Sequence, residues 1–200
     1  MIKLTVRVVR LFVHWLYTKT IPATSWYVVW SPIIDRSLKP GMYDAWVQEV
    51  FIVLIKAYVF GDKFLATGFR QDVHRKFSNL LSGYCLTLPG GCQVIEYAFN
   101  NVPSDRVMLQ HLVDDYCSQW DETQLDHVSV RIPKWLPRAF PVRVERRFAE
   151  LRSMINNVGN RSRCYYEHTS AEERKKCRYL HMFYHEVEEY GYFYDDYWRR

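Results

Sequence analysis

Residues 44–61 read DAWVQEVFIVLIKAYVFG, and this stretch decides the fold class. Asp44 is placed to cap a helix over Ala45 to Phe60, its carboxylate accepting from the free amides of the first turn. Gly61 is placed to end it, since glycine enters the left-handed conformation without a Cβ clash. Between them the polar residues are Gln48, Glu49 and Lys56. A helix apolar on nearly every side has to be surrounded by other elements. The spacing therefore predicts the central, buried helix of a mainly α-helical chain.

Working toward the N-terminus, Arg7, Arg10 and His14 form one narrow polar stripe, while Val8, Val9, Leu11, Phe12, Val13, Trp15 and Leu16 cover the rest. This helix is expected to make contact on most sides. Residues 20–43 carry Pro22, Pro32, Pro40 and Gly41 without helical period and read as a long proline-rich loop, despite Trp26 and Trp30. Toward the C-terminus, a helix is expected from about Gly68 to Leu81, with Phe69, Val73, Phe77, Leu80 and Leu81 on one face.

Pro89-Gly90-Gly91 breaks the pattern and divides the chain into residues 1–88 and a helical C-terminal region, 89–200. A short helix over Gln93 to Phe99 follows, then an amphipathic one after Pro103-Ser104, on which Leu109, Leu112, Val113, Tyr116 and Trp120 keep helical spacing. Pro133, Pro137 and Pro141 predict an extended linker over 131–141. Phe148, Leu151, Ile155 and Val158 mark another helix. Ser170-Ala171-Glu172-Glu173 is a capping box opening a final helix over 171–189.

An apolar content of 48% with 16% aromatic residues is enough for a sizeable core. A mean hydropathy of −0.28 describes an ordinary soluble chain. The most apolar run, Val50 to Ile55, meets Lys56 at once, far short of the roughly 20 residues of a membrane span. Met1 to Tyr17 imitates a signal peptide, but His14 interrupts its apolar run and no small-residue cleavage site follows. Five cysteines, at 85, 92, 117, 164 and 177, are an odd number that suits reduced thiols. The expectation is an intracellular protein, nuclear or cytoplasmic. Its net charge of +5 is concentrated between Arg131 and Asn160, where seven basic residues face Glu145 and Glu150.

Two stretches resemble a known family. Leu11-Phe12-Val13-His14-Trp15-Leu16-Tyr17-Thr18-Lys19 is similar to the aromatic-rich helix that ends in Trp-Leu-Tyr-Thr in fungal BTB/POZ domains. Leu54-Ile55-Lys56-Ala57-Tyr58-Val59-Phe60-Gly61-Asp62-Lys63-Phe64 is similar to the family's next signature, where a helix carrying a Tyr ends before an Asp-Lys pair. The order and spacing match the C-terminal half of such a domain over about the first 85 residues. The resemblance implies a non-enzymatic adaptor acting through protein partners, with no cofactor. It also implies a core built on Phe12, Trp15, Leu16, Tyr58, Phe64, Phe69 and Val73, which periodicity marks as well. The strand and helices that build the family's homodimer face have no counterpart here. Nor does the hydrophobic-x-Glu element of members that recruit cullin scaffolds, since the first acidic residue is Asp35. The resemblance therefore does not extend to either partner, and the chain reads as a truncated domain.

Two alternatives come from the residues alone. Cys164-x3-His168 and Cys177-x3-His181 give four soft ligands, the second pair one helical turn apart, with His185 able to replace His181. This is a candidate zinc-stabilised tail. The basic segment 131–152, with Trp135 and Phe140 interleaved, is a candidate nucleic-acid or chromatin contact, its arginines meeting phosphate and its rings stacking on bases. The plainer reading makes those arginines the solvated face of a helix. No catalytic constellation stands out. Gly90-Gly91 is too short for a phosphate loop, and His181 to His185 lacks the adjacent Glu of a metalloprotease helix. Asp114 and Asp115 point about 100° apart on a helix. Cys85 and Cys92 have no basic neighbour to lower a thiol pKa.

Overall fold

The computed structural model describes residues 6–22, 43–83, 91–118, 132–155, 165–168, 170–175 and 177. The described residues are mainly α-helical, with no strand among them. The helices are α1 (Val6–Thr18), α2 (Tyr43–Lys63), α3 (Thr67–Gly83), α4 (Gly91–Asn101), α5 (Val107–Ser118) and α6 (Ala139–Ile155). A further helical turn covers 171–175. The proline-rich loop lies almost wholly outside the described residues, as do Trp120, Val158 and the remainder of the predicted C-terminal helix.

The central position of α2 follows from its sequence. Val53, Leu54, Ile55, Ala57 and Tyr58 have no exposed surface, and α1, α3 and α4 pack around them. The helix begins at Tyr43, one residue before its predicted cap, and it runs two residues past Gly61. Gly61 does not terminate it. A Cβ there would lie 3.0 Å from the Arg70 Cβ and 3.2 Å from its backbone, so glycine is required because α3 crosses the end of α2 this closely. The stop comes from a Schellman turn, in which the Ala66 amide donates to the Gly61 carbonyl (2.9 Å) and the Leu65 amide to that of Asp62 (3.4 Å). Leu65 fills its left-handed position, with φ 54°.

Two apolar clusters meet on α4 and α5. The larger joins α1, α2 and α3 to Val94, Ala98, Met108, Leu109 and Leu112. The smaller places Cys92, Ile95, Val113, Tyr116 and Cys117 against Leu136, Phe140, Val144 and Phe148. Each of these two helices thus turns one side to either cluster, so the region after residue 88 packs on the part before it. The expected linker departs from its prediction at its end. Ala139 and Phe140 already belong to α6, and Pro141 sits in its first turn, where the missing N–H has no intrahelical partner to lose. Leu136 and Phe140 are buried, Phe140 between Phe99 (5.3 Å) and Tyr116 (5.2 Å).

Five of the expected core residues lie in or against the core: Tyr58, Phe69 and Val73 within it, Phe12 and Trp15 on its edge. Leu16 and Phe64 are exposed. Phe64 follows the last residue of α2, its amide still donating to the Phe60 carbonyl at 3.0 Å, and its ring lies at the exposed end of the helix.

Candidate functional site

Among the described residues, α1 is met on one side instead of most sides. Val8 and Leu11 are buried and Phe12 and Trp15 pack beside them. Val6, Val9, Val13, Leu16 and Tyr17 face outward at 37% to 87% exposure. Phe64 and Leu65, in the turn between α2 and α3, add 62% and 85%. Seven of the nine large apolar side chains exposed among the described residues belong to this one region. A chain of rings, Phe12 to Phe60 at 5.2 Å and Phe60 to Phe64 at 4.6 Å, ties the turn to the helix. Arg10 on α1, Lys19 just after it and Lys63 at the end of α2 are exposed, Lys19 lying over the Trp15 ring at 4.6 Å, and α1 has no acidic residue.

The face is held rigidly from behind. The Arg7 guanidinium donates to Glu49 on α2, and the Trp15 indole N–H donates to Asp72 on α3 at 2.8 Å. Phe69 meets the edges of Phe12 at 5.0 Å and Trp15 at 5.5 Å. A Cβ on Gly68 would approach the Trp15 ring to 3.3 Å, so α3 starts directly beneath the indole. The stripe is therefore presented on a fixed helix, which lowers the entropy lost when a partner covers it.

A second constellation is polar and internal. Residues 165–168 lie as a strap across α2, α3 and α5. Glu167 accepts from the Tyr58 hydroxyl and from Arg70 Nε at 3.0 Å. Arg70 Nη1 also reaches Asp62 at 2.5 Å, and Arg106 Nη2 reaches the same oxygen at 2.7 Å. Tyr165 stacks on His111 with ring centroids 3.9 Å apart and donates to Asp114 at 2.6 Å. Asp114 is 8% exposed, and it also accepts from Gln110 at 2.9 Å and pairs with Arg147 at 2.9 Å. Each buried carboxylate thus has several partners, the condition for burying charge at tolerable cost. Tyr166 donates to Asn79 at 2.6 Å.

Inside this seam lie two buried imidazoles. His74 meets the edge of the Tyr58 ring at 5.6 Å, and neither of its ring nitrogens has a hydrogen-bond partner. His111 Nδ1 lies 3.3 Å from Ser78 Oγ. Burial lowers both to a pKa of about 4, the Arg70 charge adding to it at His74 and His74 itself at His111. Burial also holds the Tyr58 phenol well above its usual value, with Glu167 adding to it. The Cys117 thiol is pushed up to about 12 by burial and then by Asp114, and the Cys92 thiol is raised by burial. These thiols stay protonated at neutral pH.

Of the proposed zinc ligands, His168 is half-buried and Cys177 buried, while Cys164, His181 and His185 lie outside the described residues. No group of three or more His, Cys, Asp or Glu among the described residues is arranged to hold a metal ion. In the basic segment Trp135 is exposed, but Phe140 is fully buried and has no face to offer a base. The Ser170 hydroxyl accepts from the Glu173 amide at 3.0 Å, which is the serine half of the predicted capping box. Sequence reasoning missed the strap and the carboxylate–arginine seam. The one signal was the run Tyr165-Tyr166-Glu167, too short to carry periodicity. No described helix is long and apolar enough to cross a membrane. No family model, curated protein or solved structure matches the chain.

Proposed function

We propose that this chain is a protein-interaction module of BTB/POZ type whose docking surface is the outer face of α1. The observation that carries this reading is the concentration of Val6, Val9, Val13, Leu16, Tyr17, Phe64 and Leu65 in one exposed region. An apolar patch of this kind on a soluble protein marks an interaction site. Positions 6, 9, 13 and 16 keep helical spacing, which suits an amphipathic helix laid alongside. The basic rim of Arg10, Lys19 and Lys63 favours a partner with carboxylates flanking its apolar stripe. The family resemblance implies the same class of activity, an adaptor acting through protein contacts.

Site-specific photo-crosslinking in cells tests this. A photoreactive residue at Val13 or Leu16 should give discrete protein adducts, and one at exposed Gln93 on α4 should not. Adducts equally abundant from Gln93, or none from α1, would remove the reading. The variants Val13→Asp and Leu16→Glu should abolish the adducts formed from a probe at Val9 while changing stability by no more than about 0.5 kcal/mol, since both side chains already face water.

A further inference from the structure

A cavity of about 430 Å³ opens between the start of α5 and the outer side of α6, lined in part by Arg106, Arg143, Arg146, Arg147, Asp105 and Glu150. Four guanidiniums converge on a space bordered by two carboxylates. Two of the four are committed, Arg106 to Asp62 at 2.7 Å, and Arg147 to Asp114 at 2.9 Å and Glu150 at 3.2 Å. The other two have no carboxylate partner among the described residues: Arg143 donates one Nη2 bond to the Ser104 carbonyl and lies over the Phe99 ring at 5.6 Å, and Arg146 is exposed. The first turn of α5 begins at Val107, on the same wall; the Arg106 amide there donates to the Pro103 carbonyl (3.1 Å) and the Leu109 amide to that of Arg106 (3.2 Å), which leaves those of Val107 and Met108 as its leading amides.

We propose that this cleft binds a phosphate group carried on a small organic molecule. Planar guanidiniums match the oxygens of a phosphate in pairs, and a helix N-terminus adds partial positive charge. The volume is that of a small-molecule site rather than of a bare ion. Asp105 is the one lining carboxylate with no arginine bound to it, and it sets the limit on affinity by repelling the ligand. The proposal is independent of the α1 face, since it lies on different helices and uses none of the same residues.

Calorimetric titration of the full chain with inorganic phosphate, pyrophosphate and ATP at low ionic strength decides it. ATP should bind saturably at one site, more tightly than inorganic phosphate. Arg146→Gln should weaken it about tenfold, as loss of a charge-assisted hydrogen bond does. Because Arg146 is exposed, the fold is retained in that variant. Arg143→Gln should act likewise, whereas Asp105→Asn should tighten binding several-fold. Arg138→Gln, which removes an equal charge outside the cleft, should change it by less than about twofold. Absence of binding at millimolar ATP overturns the proposal. So does an Arg138→Gln effect as large as that of Arg146→Gln, or a single-stranded oligonucleotide binding more tightly than ATP and weakened equally by both variants, which would mark a diffuse nucleic-acid surface.

Discussion

At the residue scale the buried imidazoles govern how stability responds to acid. His74 and His111 titrate near 6.5 when unfolded and near 4 in the folded chain. Between those values the unfolded state binds more protons, so stability is complete above pH 6.5 and is lost as the pH falls toward 4. A shift of this size is worth on the order of 3 kcal/mol at each site, and repulsion between the two charged rings adds to the loss instead of reducing it. Urea midpoints at pH 7.0, 5.5 and 4.5 check this. His74→Leu keeps the volume and removes two unpartnered nitrogens, so it should stabilise the chain by about 1 kcal/mol at pH 7 and flatten the acid slope. Neither histidine was legible as buried from its neighbours, because Arg75 and Lys76 follow His74 and nothing in the pattern reports the strap whose Tyr165 stacks on His111. Tyr58, Phe69 and Val73 were legible, being repeated at helical spacing. Leu16 and Phe64 were misread because apolarity alone does not say which side of a helix meets a partner.

At the scale of elements, the junction between α2 and α3 shows why helix existence was readable and helix ends were not. Helical periodicity is a property of many residues, and it located the first five helices to within a few positions, while the sixth begins at Ala139, inside the expected linker and well before the Phe148 that marked it. An end depends on one or two contacts, as with Gly61, whose purpose is clearance for Arg70, and Leu65, which holds a conformation that costs an L-residue roughly 1 to 2 kcal/mol. Opposite substitutions should therefore have opposite effects. Gly61→Ala should destabilise by about 1 to 3 kcal/mol, because the new methyl group meets the backbone as well as the side chain of Arg70. Leu65→Gly should stabilise by about 1 kcal/mol, since the side chain it removes is 85% exposed and contributes little packing. Denaturant unfolding of both variants at one pH measures the contrast, and a stabilised Gly61→Ala chain would refute this account of the crossing. Pro141 taught the same lesson in reverse, a residue read as linker that opens α6.

For the whole molecule, the strap touches α2, α3 and α5 together. Glu167 and Arg70 keep only 12% and 17% of their side-chain surface exposed, so their pairing is screened little by solvent. Glu167→Gln leaves the shape and removes the charge. It should cost about 1.5 to 3 kcal/mol, and hydrogen exchange of residues 165–168 should accelerate far more than that of α2. An unchanged exchange pattern would mean that the aromatic stack on His111 holds the strap by itself.

The bonds of Glu167 reach back 97 and 109 residues, and this separation has a consequence for synthesis. A chain made from its N-terminus exposes α2 and α3 long before residue 167 has been translated. At common elongation rates the interval between Gly83 and Glu167 lasts on the order of ten seconds, ample time for helices to form and pack. Throughout it Arg70 and the Tyr58 hydroxyl face an open seam, and nascent chains halted after α6 should be cut there by protease while the completed chain resists. The speed of the ribosome, as much as the strength of any contact, sets how long this protein spends vulnerable.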